Sequence, residues 1–323
     1  MKSTVKFALT GDPHFEIIHN AEERLDQFLK KAREENVDFI IHTGDFSYPT
    51  DTYTCYCPIE KMPINLKNSY GKPRSAEVLG LLDKFNSFEK PSYHCMGNHE
   101  FDFAAVEDIV KIYGMDNNYY SFRMNNWHFI ILDGNYLKTD DGRYEHYDHG
   151  HHLGANLPWI PTEQLEWLRG ELMQGDEPVV IISHQPVYKH WGGVKNYAQV
   201  AEVIEEAKAR GKDVRLCING HIHRDELADC NGVLYYGANS MSDTWVDEEY
   251  QAIRFSAEIE EKYPNVRYTM PYDRAIFSIV TLDSEGISVE GIEGKYIEPG
   301  PDKLGYKGKD TPVASSWSRR WIR

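Results

Sequence analysis

The sequence predicts an α/β fold, and three features of the chain point to it. It opens strand–loop–helix–strand: a β-rich run at Val5–Thr10, then Leu25, Phe28, Leu29 and Ala32 at helical spacing in a charged segment through Asn36, then a second run at Val37–Thr43. That second run is continuously apolar at Phe39-Ile40-Ile41, the pattern of a strand covered on both faces. Strand-like runs also end repeatedly in loops that carry carboxylate, imidazole or amide side chains. These are Gly11-Asp12-Pro13-His14, Gly44-Asp45, Gly97-Asn98-His99-Glu100, Ser183-His184-Gln185-Pro186 and Gly220-His221-Ile222-His223.

Taken in order, Pro13 stops the first ladder, so Asp12 and His14 fall on its exit loop. Asn20 is placed to cap the helix that follows. Residues Phe46–Lys72 hold Pro49, Pro58 and Pro63 with several tyrosines and read as a long loop beside a site. Arg74–Phe88 reads as a helix, with Val78, Leu81, Leu82 and Phe85 on one face. Ser92–Met96 leads into Gly97-Asn98-His99-Glu100, and Ala104–Tyr113 reads as a short helix. Tyr119–Arg123 and Trp127–Asp133 flank Met124-Asn125-Asn126 as a hairpin.

Gly134–Ile160 is polar and aromatic and reads as a second pocket loop. Its histidines His146, His149, His151 and His152 suit the lining of a polar pocket better than a metal tract, since no carboxylate–His spacing accompanies them. Thr162–Gln174 is a helix with Thr162 as its cap, followed by a strand at Pro178–Ser183, a helix at Asn196–Arg210 ended by Gly211, and strands at Val214–Asn219 and Val233–Tyr236. Beyond Asn239 the pattern weakens to one antiparallel pair, Ala275–Leu282 with Ile287–Glu290. No repeat or linker divides the chain. One domain is expected over residues 1–294, with a tail at 295–323 that carries Trp317 and Trp321 and packs on the domain or a partner.

Composition sets the outer bounds. A chain of 323 residues that is 41% hydrophobic can build a substantial core. Its net charge of −16 repels phosphate backbones and argues against general nucleic-acid binding. Among the 5 cysteines, Cys95 and Cys217 sit inside strand-like runs and read as buried thiols, while Cys55 and Cys57 form a CxC pair without a partner pair. No apolar run is long enough to span a membrane. The first strand starts close to Met1, which leaves no room for a secretory signal. A cytoplasmic protein is expected, or an exported one if a leader has been removed.

The strand-exit side chains Asp12, His14, Asp45, Asn98, His99, His184, His221 and His223 suit Mn, Fe, Zn or Ni rather than thiolate-seeking ions. Leaving His99 aside, the remaining seven divide into two four-ligand sets if one carboxylate bridges. Two ions about 3.5–4 Å apart form the clamp used for in-line displacement at phosphorus. The glycines before Asp12, Asp45, Asn98 and His221 permit sharp turns that aim the next side chain inward.

In this order the blocks resemble the calcineurin-like metallophosphoesterase superfamily, on the side of its purple acid phosphatases and cyclic nucleotide phosphodiesterases. The resemblance implies a four-layer α/β/β/α sandwich of two mixed sheets with metals at the strand C-terminal ends. It also implies two divalent or mixed-valence transition metals and in-line attack by a metal-bridging hydroxide on a small phosphate monoester or diester. By the same likeness Asp12, His14, Asp45 and His223 hold the first metal, and Asp45, Asn98, His184 and His221 hold the second. His99 is then a catalytic histidine that is not a ligand. Asp45-Phe46-Ser47-Tyr48 is also similar to the Asp-x-x-Tyr of purple acid phosphatases, whose tyrosine binds iron. His14 is the favoured ligand here, because neutral imidazole suits divalent ions. Tyr48, His149 and His151 are then expected on the substrate side. The alternative function is a catalytically silent scaffold of the same fold, which would be expected to have lost His99 or several ligands.

Overall fold

The structure is a computed structural model and describes residues 4–48, 76–102, 105–147, 158–307 and 317–320. The strands in chain order are β1 (Val5–Thr10), β2 (Phe39–His42), β3 (Ser92–His94), β4 (Tyr120–Met124), β5 (Trp127–Leu132), β6 (Tyr136–Lys138), β7 (Tyr144–His146) and β8 (Val179–Ser183). They continue as β9 (Val214–Asn219), β10 (Glu226–Cys230), β11 (Val233–Gly237), β12 (Asp243–Trp245), β13 (Thr269–Pro271), β14 (Ser278–Leu282), β15 (Gly286–Gly291) and β16 (Trp317–Arg320). The longer helices are α1 (Ala21–Glu34), α2 (Ala76–Asn86), α3 (Val106–Tyr113), α4 (Thr162–Leu172), α5 (Tyr197–Ala209) and α6 (Ala257–Lys262).

Side-chain alternation along the strands sets the layers. One sheet runs β16-β15-β14-β1-β2-β3 and the other β10-β11-β9-β8-β5-β4. Phe7 and Leu9 of β1, Phe39 and Ile41 of β2 and Val280 of β14 meet Trp127, Phe129 and Ile131 of β5 and Val180 and Ile182 of β8 in one core between the sheets. Phe7 stacks on Phe39 at 4.8 Å, and Phe129 stands edge-on to Phe39 at 5.2 Å. The opposite faces turn to helices. Ala8, Ile40 and Ile279 pack with Leu25, Phe28 and Phe85 of α1 and α2. Ile130, Ile181 and Cys217 pack with Leu168 and Val203 of α4 and α5. The result is a mixed α/β sandwich in four layers.

The parallel registers explain where the functional loops lie. Thr10 pairs with His42, and His42 with His94, so the exits of β1, β2 and β3 are level along one sheet end. Ser183 pairs with Asn219, which brings the exits of β8 and β9 level in the other. The β4–β5 hairpin turns through Asn125 and Asn126 at φ 49° and 65°, as a tight two-residue connection requires.

Several local expectations need correction. Asn20 occupies the position before α1 without capping it; its side-chain oxygen instead accepts from Arg24 Nε at 2.8 Å. Thr162 is the first residue of α4, Pro161 precedes it, and no side chain caps that helix. The stretch read as a loop from Gly134 contains the antiparallel pair β6–β7. Beyond Asn239 there is a further pair, β12–β13. These strands are three residues long, too short for a two-residue period to register in sequence. The half-exposed strand β10 was missed for a different reason: it lies at a sheet edge and has no continuous apolar face. Residues 317–320 pair with β15 at the opposite edge.

Phe129 is fully buried at the centre of the intersheet aromatic cluster. Phe129→Ala should lower unfolding stability by about 3–5 kcal/mol in denaturant titration, the range for truncating a large buried aromatic.

Candidate metal centre

The two level rows of strand exits bring the five sequence blocks into one buried group. Asp12 (φ 40°), His14 (φ 48°), Asp45 (φ 52°), His221 (φ 68°) and His223 (φ 47°) all take left-handed backbone conformations. Each such non-glycine residue is strained by about 1–2 kcal/mol and persists where the surroundings over-determine it. The glycines were expected to make the sharp turns, but only Gly44, at φ 103°, does so among those preceding a candidate ligand. The others are needed for space. A Cβ on Gly97 would lie 2.1 Å from Asp45 Oδ1, and one on Gly220 would lie 2.4 Å from Asp12 Oδ2.

Donor atoms of Asp12, His14 and His223 lie within 4.8 Å of one another, as do those of Asp45, His184 and His221. His14 Nε2 is 3.5 Å from Asp45 Oδ2, and His223 Nε2 is 3.5 Å from Asp12 Oδ1. In the second group His184 Nε2 stands 3.1 Å from the same Asp45 Oδ2, 3.0 Å from Asn98 Oδ1 and 3.1 Å from His221 Nδ1. The structure thus brings all seven candidate ligands together, with one Asp45 oxygen facing both groups.

The second group tests whether a cation fits. His184 Nδ1 donates to the Thr43 carbonyl at 2.8 Å, so in neutral His184 the Nε2 lone pair points at a carboxylate, an amide and an imidazole nitrogen. Acceptors so crowded repel unless something positive sits among them. Burial opposes a charge on His184, yet Asp45, with help from Asp12, raises its pKa to about 9. Burial and the neighbouring His184 push His221 down to about 3, which keeps it a neutral lone-pair donor. Burial works against ionised Asp45, but His184 and His99 hold it well below the ordinary carboxylate range. A positive charge belongs at this position, and donor atoms sharing an ion at about 2.1 Å stand about 3 Å apart. The residues fit divalent metals.

The carboxylates are aimed by backbone from other blocks. His221 N–H donates to both Asp12 oxygens at 3.0 Å, and His99 N–H donates to Asp45 Oδ1 at 2.8 Å. His99 Nδ1 lies 2.6 Å from Asp102 Oδ2, which leaves Nε2 as its outward atom. Its ring is also near enough to form a group with His14 and Asp45, so geometry alone does not separate it from the ligands. Tyr48 is buried against His99 at 4.4 Å between ring centroids, and Trp245 lies 5.2 Å from Tyr48 and 5.7 Å from His14. His149 and His151, with His152, lie outside the described residues. His146 is 3.3 Å from the buried Asp133 and packs against Tyr136 at 3.8 Å between ring centroids, so it is drawn into a polar network at the β5 exit.

Glu100 has a role that its residue type and place in the sequence do not announce. Its buried carboxylate accepts from the backbone N–H of Asp45 (2.9 Å), Phe46 (2.9 Å) and Gly97 (2.6 Å) and from Tyr113 OH (2.7 Å). The run after β11 supports the centre as well. Ser240 Oγ donates to the Asp12 carbonyl, Ser242 Oγ donates to the Pro13 carbonyl, and His223 Nδ1 donates to the Asp243 carbonyl. The signal was available, because Gly237-Ala238-Asn239-Ser240 repeats the pattern of a strand, a glycine and then polar residues.

Residues 5–225 match the calcineurin-like phosphoesterase family, and the chain belongs to that family. It is a metal-dependent phosphoric ester hydrolase, and the family implies divalent metal ions. Among solved structures it is similar to a dimetal phosphatase from Danio rerio, at 18% identity and TM-score 0.61, over 91% of this chain and 98% of that one. It also matches GAP50, the anchor in the inner membrane complex of Plasmodium, at 17% identity and TM-score 0.47, over 93% and 86% of the two chains. At these identities the likeness concerns fold, and the Danio rerio structure supports the two-sheet architecture. No curated protein matches the sequence. No helix among the described residues is long and apolar enough to cross a membrane.

Gly97→Ala should leave far-UV circular dichroism close to wild type, yet strip bound metal from the protein as measured by elemental analysis. The added methyl can be accommodated only by moving Asp45.

Proposed function

We propose that the chain hydrolyses a small phosphate monoester or diester with two transition-metal ions drawn from Mn, Fe, Zn or Ni. Asp12, His14, Asp45 and His223 would hold one ion, and Asp45, Asn98, His184 and His221 the other. The single observation that carries this reading is the shared Asp45 Oδ2, 3.5 Å from His14 Nε2 and 3.1 Å from His184 Nε2. When bound, the ions supply Lewis-acid stabilisation of phosphoryl charge and lower the pKa of the attacking water for in-line displacement.

The rest of the chemistry falls to the chain. Asp102 holds the Nδ1 proton of His99, which leaves Nε2 to give a proton to the departing oxygen. The Asp45 contact to the His99 backbone ties that ring to the bridging carboxylate, so acid and ligand keep a fixed relation. Tyr48 and Trp245 form an aromatic wall beside His99, and His149 and His151 complete the substrate side in this reading. The net charge of −16 favours a small phosphoester over a long nucleic acid.

Protein purified without chelator and supplied with excess metal should hold about two transition-metal equivalents by elemental analysis; a ceiling of one would refute the dinuclear reading. His99→Asn should keep both equivalents and lose about 10²–10⁴-fold in rate, the usual contribution of a general acid. The loss should be smaller for p-nitrophenyl phosphate than for an alkyl ester, because p-nitrophenolate departs without protonation. A missing metal equivalent in His99→Asn would instead make His99 a ligand.

A further inference from the structure

Asp243, at the start of β12, is fully buried, and among the described residues neither carboxylate oxygen has a hydrogen-bond partner. A buried carboxylate without a hydrogen-bond partner is costly and calls for an explanation. The buried Arg24 guanidinium acts on Asp243 electrostatically but makes no hydrogen bond to it. That guanidinium donates to the carbonyls of Met241, Tyr272 and Arg274 and to Asn20 Oδ1, so its hydrogen bonds go elsewhere. Asp243 lies instead behind the first metal group. Its Oδ1 is 3.7 Å from His223 Nδ1, and its carbonyl accepts that same N–H at 3.0 Å; the His223 ring in turn packs against the His14 ring at 4.9 Å between centroids.

His14 poses the complementary problem. Its Nε2 faces Asp45, while Nδ1 is buried and has no partner among the described residues. An imidazole that ligates through one nitrogen carries its proton on the other, and a negative charge behind the ring fixes that tautomer and strengthens the ligating lone pair.

We propose that Asp243 is a positioning residue for the first metal, an anionic backstop that keeps His14 and His223 in the Nδ1–H form with Nε2 turned to the ion. The inference rests on the assignment of His14 and His223 as metal ligands in the reading above. In that arrangement a bound metal would add to the compensation of the buried carboxylate through the two rings.

The test is calorimetric titration of chelator-stripped protein with Zn²⁺, comparing wild type with Asp243→Asn. One of two Zn²⁺ sites should weaken about 10–100-fold, the usual effect of losing such a partner, with the other unchanged. Affinities at both sites within threefold of wild type would overturn the proposal. So would a lowered metal-free melting temperature with unchanged affinities, the mark of a merely structural residue. Ring-nitrogen NMR of Zn²⁺-loaded wild type gives an arm that needs no variant. Both His14 and His223 should carry the proton on Nδ1, and an Nδ1-ligated ring at either position overturns the assignment. A wild type that takes up one Zn²⁺ would refute the two-metal reading by itself; an Asp243→Asn effect on that ion would still uphold this inference, and its absence would end it.

Discussion

The carboxylate of Glu100 is the interaction on which the rest of the centre depends. It gathers the N–H groups of Asp45, Phe46 and Gly97 and the hydroxyl of Tyr113 onto two oxygens inside the protein. Three of these donors belong to loops that leave neighbouring strands, β2 and β3. Without an acceptor between them, the donors would be stranded in a dry interior at about 1–3 kcal/mol each. With it, the β2 exit and the β3 exit become one rigid piece, and Asp45 and Asn98 keep their relation to each other. The glycines follow from the same closeness: Gly44 and Gly97 are in contact, and a Cβ on Gly44 would lie 2.5 Å from Gly97 N.

That rigidity is what allows the strain. Asp12, His14, Asp45, His221 and His223 in left-handed conformations would relax in a loop free to move. Here each is held by bonds from another block: His14 N–H to the Asp45 carbonyl, His221 N–H to Asp12, and Ser240 and Ser242 to the carbonyls of Asp12 and Pro13. The two sheets contribute opposite halves of the centre, so the aromatic core between them, Phe7 against Phe39 and Phe129, also sets the distance between the two rows of strand exits.

The legible parts of the sequence were those with a strong periodic or positional signal. Continuous apolar runs such as Phe39-Ile40-Ile41 marked buried strands, and histidines and carboxylates at their ends marked where side chains converge. The three-residue strands β6, β7, β12 and β13 carry too few positions for a period. Asn20 and Thr162 looked like caps because residue type alone signals them, whereas tertiary partners decided: Arg24 took the Asn20 oxygen. Asp243 could not be found from spacing, since what distinguishes it is burial without a partner, and only packing reveals that. The roles of Tyr48 and Trp245 depend on ring contacts across nearly 200 residues of chain, which no local pattern encodes.

Charge completes the picture. The chain as a whole carries −16, which would seem to disfavour a phosphoester of any size. Locally the balance reverses once cations are bound. Of the seven candidate ligands, only Asp12 and Asp45 are anionic; Asn98 and the four histidines bring no negative charge. Two divalent ions in such a set, as proposed, would leave a net positive centre, since bound cations dominate the field near them. The remaining acids close by are turned away from the centre: Glu100 toward backbone amides, Asp102 toward the far nitrogen of His99 and Asp243 behind His223. His99 and His221 are the partly exposed residues of the centre, so it is reached from their side. In the proposed reading a small phosphoester would meet attraction at short range, while the net charge of the chain would disfavour an extended polyanion.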